Sequence, residues 1–168
     1  MPIRTTNPAT NEVVKDFEEM SSAAVDQALT QAVETYASWK QTEYAIRAEV
    51  LYKVAGLLRT KKRELARLIT LEMGKLFEQA EGEIKLSAEI FSYYAKNAEA
   101  FLADKILAPM HGQALVRHSP IGVLLGIQPW NFPFYQVARF AAPNIMVGNT
   151  ILVKHASIVP QCAIAFEQ

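Results

Sequence analysis

Between Ile121 and Ser157 the chain reads IGVLLGIQPWNFPFYQVARFAAPNIMVGNTILVKHAS, with polar side chains spaced as chemistry would need them. Asn131 sits inside Pro129-Trp130-Asn131-Phe132-Pro133. An amide N–H fixed before a reaction stabilises negative charge arriving on an oxygen, although a turn Asn can instead be satisfied by its own backbone. Arg139 can clamp a carboxylate through two parallel hydrogen bonds, or face solvent from an amphipathic helix. Lys154 and Ser157 follow an apolar run and can donate to a polar ligand. A strand-end lysine that is only solvated is the other reading.

Other chemically capable residues point elsewhere. Cys162 lies in Val159-Pro160-Gln161-Cys162-Ala163-Ile164, just inside an apolar helix start, where cysteine behaves as a small hydrophobe. A helix N-terminus can lower a thiol pKa, but no His is placed as its base, so it is not read as a nucleophile. His111 and His118 flank Gly112 without metal-ligand spacing or companions, and no metal is expected. His155 could add positive charge beside Lys154, but a neutral surface histidine is the favoured reading.

The elements that must position these residues follow from pattern. Ile121 to Ile127 is a β-branched and small apolar run stopped at a proline, which predicts a buried strand. A helix begins near Pro133, is interrupted and kinked or restarted at Pro143, and stops at Gly148-Asn149. Ile151 to Val153 is a second strand, ending at Lys154. Strand, helix, strand is the grammar of a parallel sheet, whose ligands bind outside the carboxyl ends of the strands. Phe132, Gln136 and Arg139 then share one helix face at i, i+4, i+7 spacing.

Gly122, the PWNFP block, Gly148-Asn149 and a strand ending in Lys154 together resemble the aldehyde dehydrogenases. Leu71-Glu72-Met73-Gly74-Lys75, and an Arg at the offset of Arg139 from the Asn, are similar to their succinate-semialdehyde branch. The resemblance covers essentially the whole chain. It implies an α/β fold, a helical region followed by the start of a Rossmann-like parallel sheet, and NAD(P)-dependent oxidation of an aldehyde to an acid. It makes Asn131 the oxyanion-hole side chain, and Ile127, Gln128, Pro129, Trp130, Asn131, Lys154 and Ser157 the cofactor's neighbours. Lys154 would bind the adenosine ribose. For Trp130, ordinary core packing is the equal alternative. Phe132, Gln136 and Arg139 would border the substrate, Arg139 suiting the carboxylate of succinic semialdehyde. A Glu three residues after Lys154 would repel a 2′-phosphate; Ser157 is uncharged, so NADP is accepted as well as NAD.

Taken in order, residues 1–20 read as a turn-rich hairpin around Asn7-Pro8-Ala9-Thr10-Asn11, with Val13-Val14 extended. Residues 21–104 read as helices. The first is capped by Ser21 or Ser22, with Val25, Leu29, Ala32, Val33, Tyr36 and Trp39 at helical spacing. In the second, Thr42 is the cap, and Ile46, Val50, Leu51, Val54, Leu57 and Leu58 form the stripe. The third buries Leu65, Leu68, Ile69 and Met73 and ends at Gly74. The fourth, Leu76 to about Ala103, buries Ile84, Ala88, Phe91, Ala95 and Ala98 beneath a solvated Glu/Lys face. Residues 105–120 read as one or two short strands, which in the resembling family belong to an oligomerisation hairpin, so a homo-oligomer is expected. Residues 121–168 open the α/β unit, and no linker divides the chain, which is read as one domain.

Lys and Arg number 17, balanced by 17 Asp and Glu, so no net field draws nucleic acid or an anionic membrane. Hydrophobic residues are 51% of the chain, a globular composition. No apolar run is long enough to span a bilayer, no secretory leader is evident, and one cysteine cannot form an internal disulfide, all consistent with cytoplasm. A lone parallel strand pair is not independently stable. The family's catalytic Cys, general-base Glu and nucleotide-loop glycines fall beyond the position of Lys154, in motifs not found here. The expectation is therefore an N-terminal piece, inactive by itself. A dehydrogenase for another aldehyde, or a short chain that binds a nucleotide or a subunit without catalysis, are the alternatives.

Overall fold

The computed structural model describes residues 3–168; Met1 and Pro2, the first two residues of the expected hairpin segment, lie outside the described residues. Strands β1 (Ile3–Asn7) and β2 (Glu12–Phe17) pair antiparallel. The turn between them is built as its residues predict, with the Asn7 side chain accepting from the Ala9 N–H at 2.9 Å and Asn11 at φ 59°. Four helices follow: α1 (Ser22–Trp39), α2 (Tyr44–Thr60), α3 (Lys62–Met73) and α4 (Phe77–Leu102). Ser21 caps α1 through its hydroxyl, and Gly74, at φ 71°, ends α3.

Helix α4 is the centre of the packing, lying against α2, α3 and the later helix α5 (Pro133–Val147). Its stripe is dominated by alanine, with Ala80, Ala88, Ala95 and Ala98 buried beside Ile84 and Phe91. Small side chains let neighbouring helix backbones approach, and Leu51, Leu58, Leu65 and Ile69 fill the remaining space. The Phe166 ring lies 6.2 Å from Phe91 and 5.6 Å from Phe134, tying together α4, α5 and α6 (Pro160–Glu167).

One helix is rotated from expectation. In α2 the buried residues are Arg47, Leu51, Ala55 and Leu58, while Ile46, Val50 and Leu57 are exposed. Arg47 turns inward because its guanidinium serves five acceptors at the ends of other elements: the Thr42 hydroxyl and the carbonyls of Trp39, Lys40, Thr42 and Met146. Thr42 is therefore not the helix cap. Glu43 occupies that position, and the Thr42 hydroxyl donates to Trp39 instead. On α1 the expected stripe holds over its second half, with Ala32 buried and Tyr36 and Trp39 half-buried, while Val25, Leu29 and Val33 are exposed.

Strands β3 (Lys105–Leu107) and β4 (Ala114–Val116) form an exposed antiparallel hairpin, braced by a bidentate contact from Arg117 to Asp104. Strands β5 (Val123–Ile127) and β6 (Thr150–Lys154) then pair in parallel on either side of α5, the α/β unit the sequence predicts. Helix α5 runs on through Pro143 rather than restarting. Gly126 must be glycine, because a Cβ there would lie 2.6 Å from the Phe140 ring of α5. The strands are less covered than expected for a buried strand: Leu125 is 63% and Ile127 73% exposed, and Gly126 alone among the residues of β5 and β6 is buried. Helix α1 holds the starting edge of the sheet, Thr150 donating to the Ala32 carbonyl and Tyr36 to the Pro120 carbonyl. Asn149, buried, accepts from the Ile121 and Gly122 N–H groups and so locks the start of β5 to that of β6.

Candidate functional site

Parallel register sets Ile127 opposite Lys154, and the Gln128 N–H continues the ladder to the Lys154 carbonyl at 3.0 Å. The two strands therefore end level. From that edge one connection carries Pro129, Trp130, Asn131 and Phe132 into α5, and the other carries His155, Ala156 and Ser157 towards α6.

Each connection is anchored at its far end by a buried carboxylate. The first-turn amides of a helix have no acceptor within it. In α5, Pro133 has no N–H to satisfy, and Glu83 Oε1 on α4 accepts from Phe134 at 2.9 Å and Tyr135 at 3.3 Å. Glu83 Oε2 is paired with the Lys75 ammonium, and that ammonium sits 3.6 Å from the Phe132 ring centroid. Glu72 on α3 does the same for α6, accepting from the Gln161 and Cys162 N–H groups at 2.9 Å each and from the Thr5 hydroxyl of β1. A negative carboxylate at a helix N-terminus also complements the helix dipole.

The two connections are joined to each other by His155. Its Nδ1 accepts from the Ala156 N–H at 2.8 Å, which fixes the tautomer with hydrogen on Nε2, donating to the Pro133 carbonyl at 2.9 Å. Burial, the largest influence, holds its pKa below the ordinary histidine value, with Lys154 adding to that and the Pro133 bond, Glu72 and Glu83 opposing it. It is thus neutral, and it is a half-buried link between the connections rather than a surface residue.

The candidate ligand groups themselves are left free. Asn131 and Lys154 are exposed and Ser157 is half-buried, and among the described residues none of the three side chains is hydrogen-bonded or ion-paired. Trp130 is 49% and Phe132 42% exposed, so neither is core material. Arg139 is exposed and lies 5.5 Å over the Tyr135 ring, which meets Phe132 edge-on at 5.8 Å. Phe132, Tyr135 and Arg139 therefore form one face of α5, with Gln136 half-buried in the same turn. Cys162 is buried, and burial followed by the charge of Glu72 raises its thiol pKa far above that of a working nucleophile. His111 and His118 are exposed.

The sequence reading missed Arg47, Glu72, Glu83, Tyr135 and the latch at Asn149. A signal existed for three of them. Arg47 lies in line with Leu51 and Leu58, Glu72 with Leu65 and Ile69, and Glu83 with Ser87 and Phe91, all at helical spacing. A charge on a buried stripe needs a partner. Here the partners are the ends of other helices.

Level carboxyl ends with unpaired donors beside them are found here at the place where open α/β sheets in general bind their ligands. The chain belongs to the aldehyde dehydrogenase family, whose model matches residues 1–168. It is 47% identical over 167 residues to succinate-semialdehyde dehydrogenase [NADP(+)] of Deinococcus radiodurans, covering 99% of this chain and 35% of that protein. It is 44% identical to a probable succinate-semialdehyde dehydrogenase [NADP(+)] of Synechocystis sp., covering 100% of this chain and 37% of the relative. The crystal structure of succinic semialdehyde dehydrogenase from Streptococcus pyogenes in complex with NADP+ superposes with a TM-score of 0.95 at 40% identity, over 98% of this chain and 36% of that one. The chain thus spans little more than a third of the length of these relatives.

Proposed function

We propose that this chain supplies the oxyanion donor, the cofactor edge and the carboxylate-reading face of an NADP-accepting succinate-semialdehyde dehydrogenase. The observation that carries the reading is the level ending of β5 and β6, with Lys154 closing β6 opposite Ile127 and Asn131 on the connection that follows, both side chains being free. NADP fits the residues present: an unpaired ammonium at Lys154, an uncharged hydroxyl at Ser157, and the exposed Ile127 and Trp130 for apolar contact. When bound, NADP or NAD would supply the hydride acceptor for the oxidation, and the nucleophile that must first add to the aldehyde carbon is not among these 168 residues.

The protein's own groups do the rest. Lys154 donates to the adenosine ribose, and Ser157 donates to a 2′-phosphate that an acidic residue would repel. The segment Ile127, Gln128, Pro129 and Trp130 borders the cofactor. The Asn131 amide donates to the aldehyde oxygen as negative charge develops there, already in place and with no competing partner to leave. Phe132 and Tyr135 wall the channel, Gln136 lies beside them, and Arg139 pairs with the distal carboxylate. Cys162 is no nucleophile, so these 168 residues alone do not turn over. The exposed apolar side chains of the β3–β4 hairpin, Ile106, Leu107 and Leu115, suit pairing with a second copy, and the reducing cytoplasm suits a chain with one free thiol.

The test is the polypeptide made from the complete reading frame that contains these residues, assayed with succinic semialdehyde and an uncharged alkyl aldehyde of similar length. Losing a hydrogen-bonded charge pair costs about 1.5–3 kcal/mol. Arg139→Ala should therefore lower kcat/KM for succinic semialdehyde by roughly 10- to 150-fold, leaving that for the alkyl aldehyde little changed. The second reading, in which Arg139 only stacks on Tyr135 and the substrate is another aldehyde, predicts an unaltered preference.

A further inference from the structure

The Asn131 side chain has no hydrogen bond of its own among the described residues, so its aim is inherited from its backbone. On one flank that backbone is fixed by the Gln128 N–H on the Lys154 carbonyl. On the other flank, Phe134 and Tyr135 are in the first turn of α5, where their amides have no helical acceptor, and both are taken by Glu83 Oε1. Glu83 is buried on α4 and does not belong to the site's surface. Lys75 holds its second oxygen and at the same time covers the ring of Phe132, the residue next to Asn131.

We propose that Glu83, held by Lys75, is a positioning residue for the Asn131 turn, acting through the Phe134 and Tyr135 amides rather than by touching substrate or cofactor. The assignment rests on the dehydrogenase reading for its catalytic consequence, but not for its structural content. A purely structural carboxylate would stabilise the helix without setting the aim of Asn131. A positioning one sets the rate of the step that develops oxyanion charge and leaves the Lys154 and Ser157 end untouched.

Two variants separate these roles. In K75M/E83Q the buried ammonium is gone, yet a carbonyl oxygen remains to accept from the two amides. In K75M/E83L the acceptor is gone as well, at similar side-chain size and the same net charge. Misplacing a reacting or stabilising group by about 1 Å can cost on the order of 100-fold in rate. The kcat of the leucine variant of the complete enzyme should therefore lie roughly 10- to 100-fold below that of the glutamine variant, with KM for NADP within about 2-fold. Equal kcat values, or kcat and KM for NADP changing together, overturn the proposal.

Amide exchange of the wild-type protein gives a readout independent of activity. The Phe134 and Tyr135 amides should be protected in wild type and in K75M/E83Q, and lose that protection in K75M/E83L. If the leucine variant does not fold, wild type alone decides: exchange of these two amides as fast as that of unbonded first-turn amides overturns the proposal. A wild-type protein that protects them but oxidises no aldehyde would sink the dehydrogenase reading, and the catalytic consequence with it, while leaving the Glu83 bonds to the two amides standing.

Discussion

Arg47→Met removes a guanidinium that donates to five acceptors at the ends of α1 and α5. The distances are 2.9 Å to the Met146 carbonyl, 2.7 Å to the Thr42 carbonyl, 2.9 Å to its hydroxyl, 3.1 Å to Lys40 and 3.4 Å to Trp39. The bond to Met146 is buried, and an acceptor stranded there costs about 1–3 kcal/mol. The others border an open cleft of about 410 Å³ lined by Lys40, Thr42, Glu43 and Tyr44, where water can replace the lost donor and reduce the cost to a few tenths of a kcal/mol each. Methionine fills much of the same path and escapes the desolvation that lowers the Arg47 pKa, which offsets part of the loss. The sum is about 2–4 kcal/mol, a sizeable share of the 5–15 kcal/mol typical of a domain. Urea unfolding should show the midpoint lowered by about 1–2 M at an unchanged slope. A second variant locates the effect. A Cβ on Gly148 would lie 3.0 Å from Arg47 Nη1, at a φ of 107°. Gly148→Ala should therefore destabilise less in the Arg47→Met background than in wild type, the steric part being relieved and the backbone part remaining. A loss below about 0.5 kcal/mol for Arg47→Met, or strict additivity with Gly148→Ala, would refute the reasoning.

Ser157→Glu puts a carboxylate where the 2′-phosphate is proposed to sit; unit charges about 4 Å apart repel by about 1 kcal/mol in water and about 4 kcal/mol near a protein surface. The KM for NADP should rise by about 10-fold or more while that for NAD changes little, and a parallel change in both would remove Ser157 from the phosphate site. Burial holds the folded pKa of His155 below the ordinary histidine value of 6.5, so its contribution to stability is complete above about pH 6.5 and declines as pH falls towards the folded value. Unfolding free energies measured between pH 8 and pH 5 should show this decline in wild type and a shallower one in His155→Gln; equal slopes would count against the neutral bridge.

Legibility in the sequence followed the physics of each element. The strand, helix, strand unit, the Gly74 stop, the Asn7 turn and the α4 stripe could be read because local rules and burial agree there. Burial of β5 was over-read because an apolar run looks alike whether one or both sheet faces are covered, and Leu125 and Ile127 face outward here. The α2 stripe was rotated because hydrophobicity alone favours Ile46, Val50 and Leu57. Arg47 overrides it, since its inward position satisfies the carbonyl ends of two helices. Periodicity counts apolar side chains, and it has no way to count backbone groups on other elements that need a charge.

The same asymmetry explains how the site can be both rigid and receptive. Oriented donors stabilise developing charge only if they need not reorganise when it appears, yet a donor held by a protein partner cannot serve a ligand without losing that partner. The chain separates the two requirements. Arg47, Glu72, Glu83 and His155 are fully engaged with backbone groups, fixing both ends of α5, the start of α6 and the contact between the two connections. Asn131, Lys154, Ser157 and Arg139 keep their donors free. Substitutions in the first set should therefore alter stability and aim together, whereas those in the second should alter ligand preference at nearly constant stability.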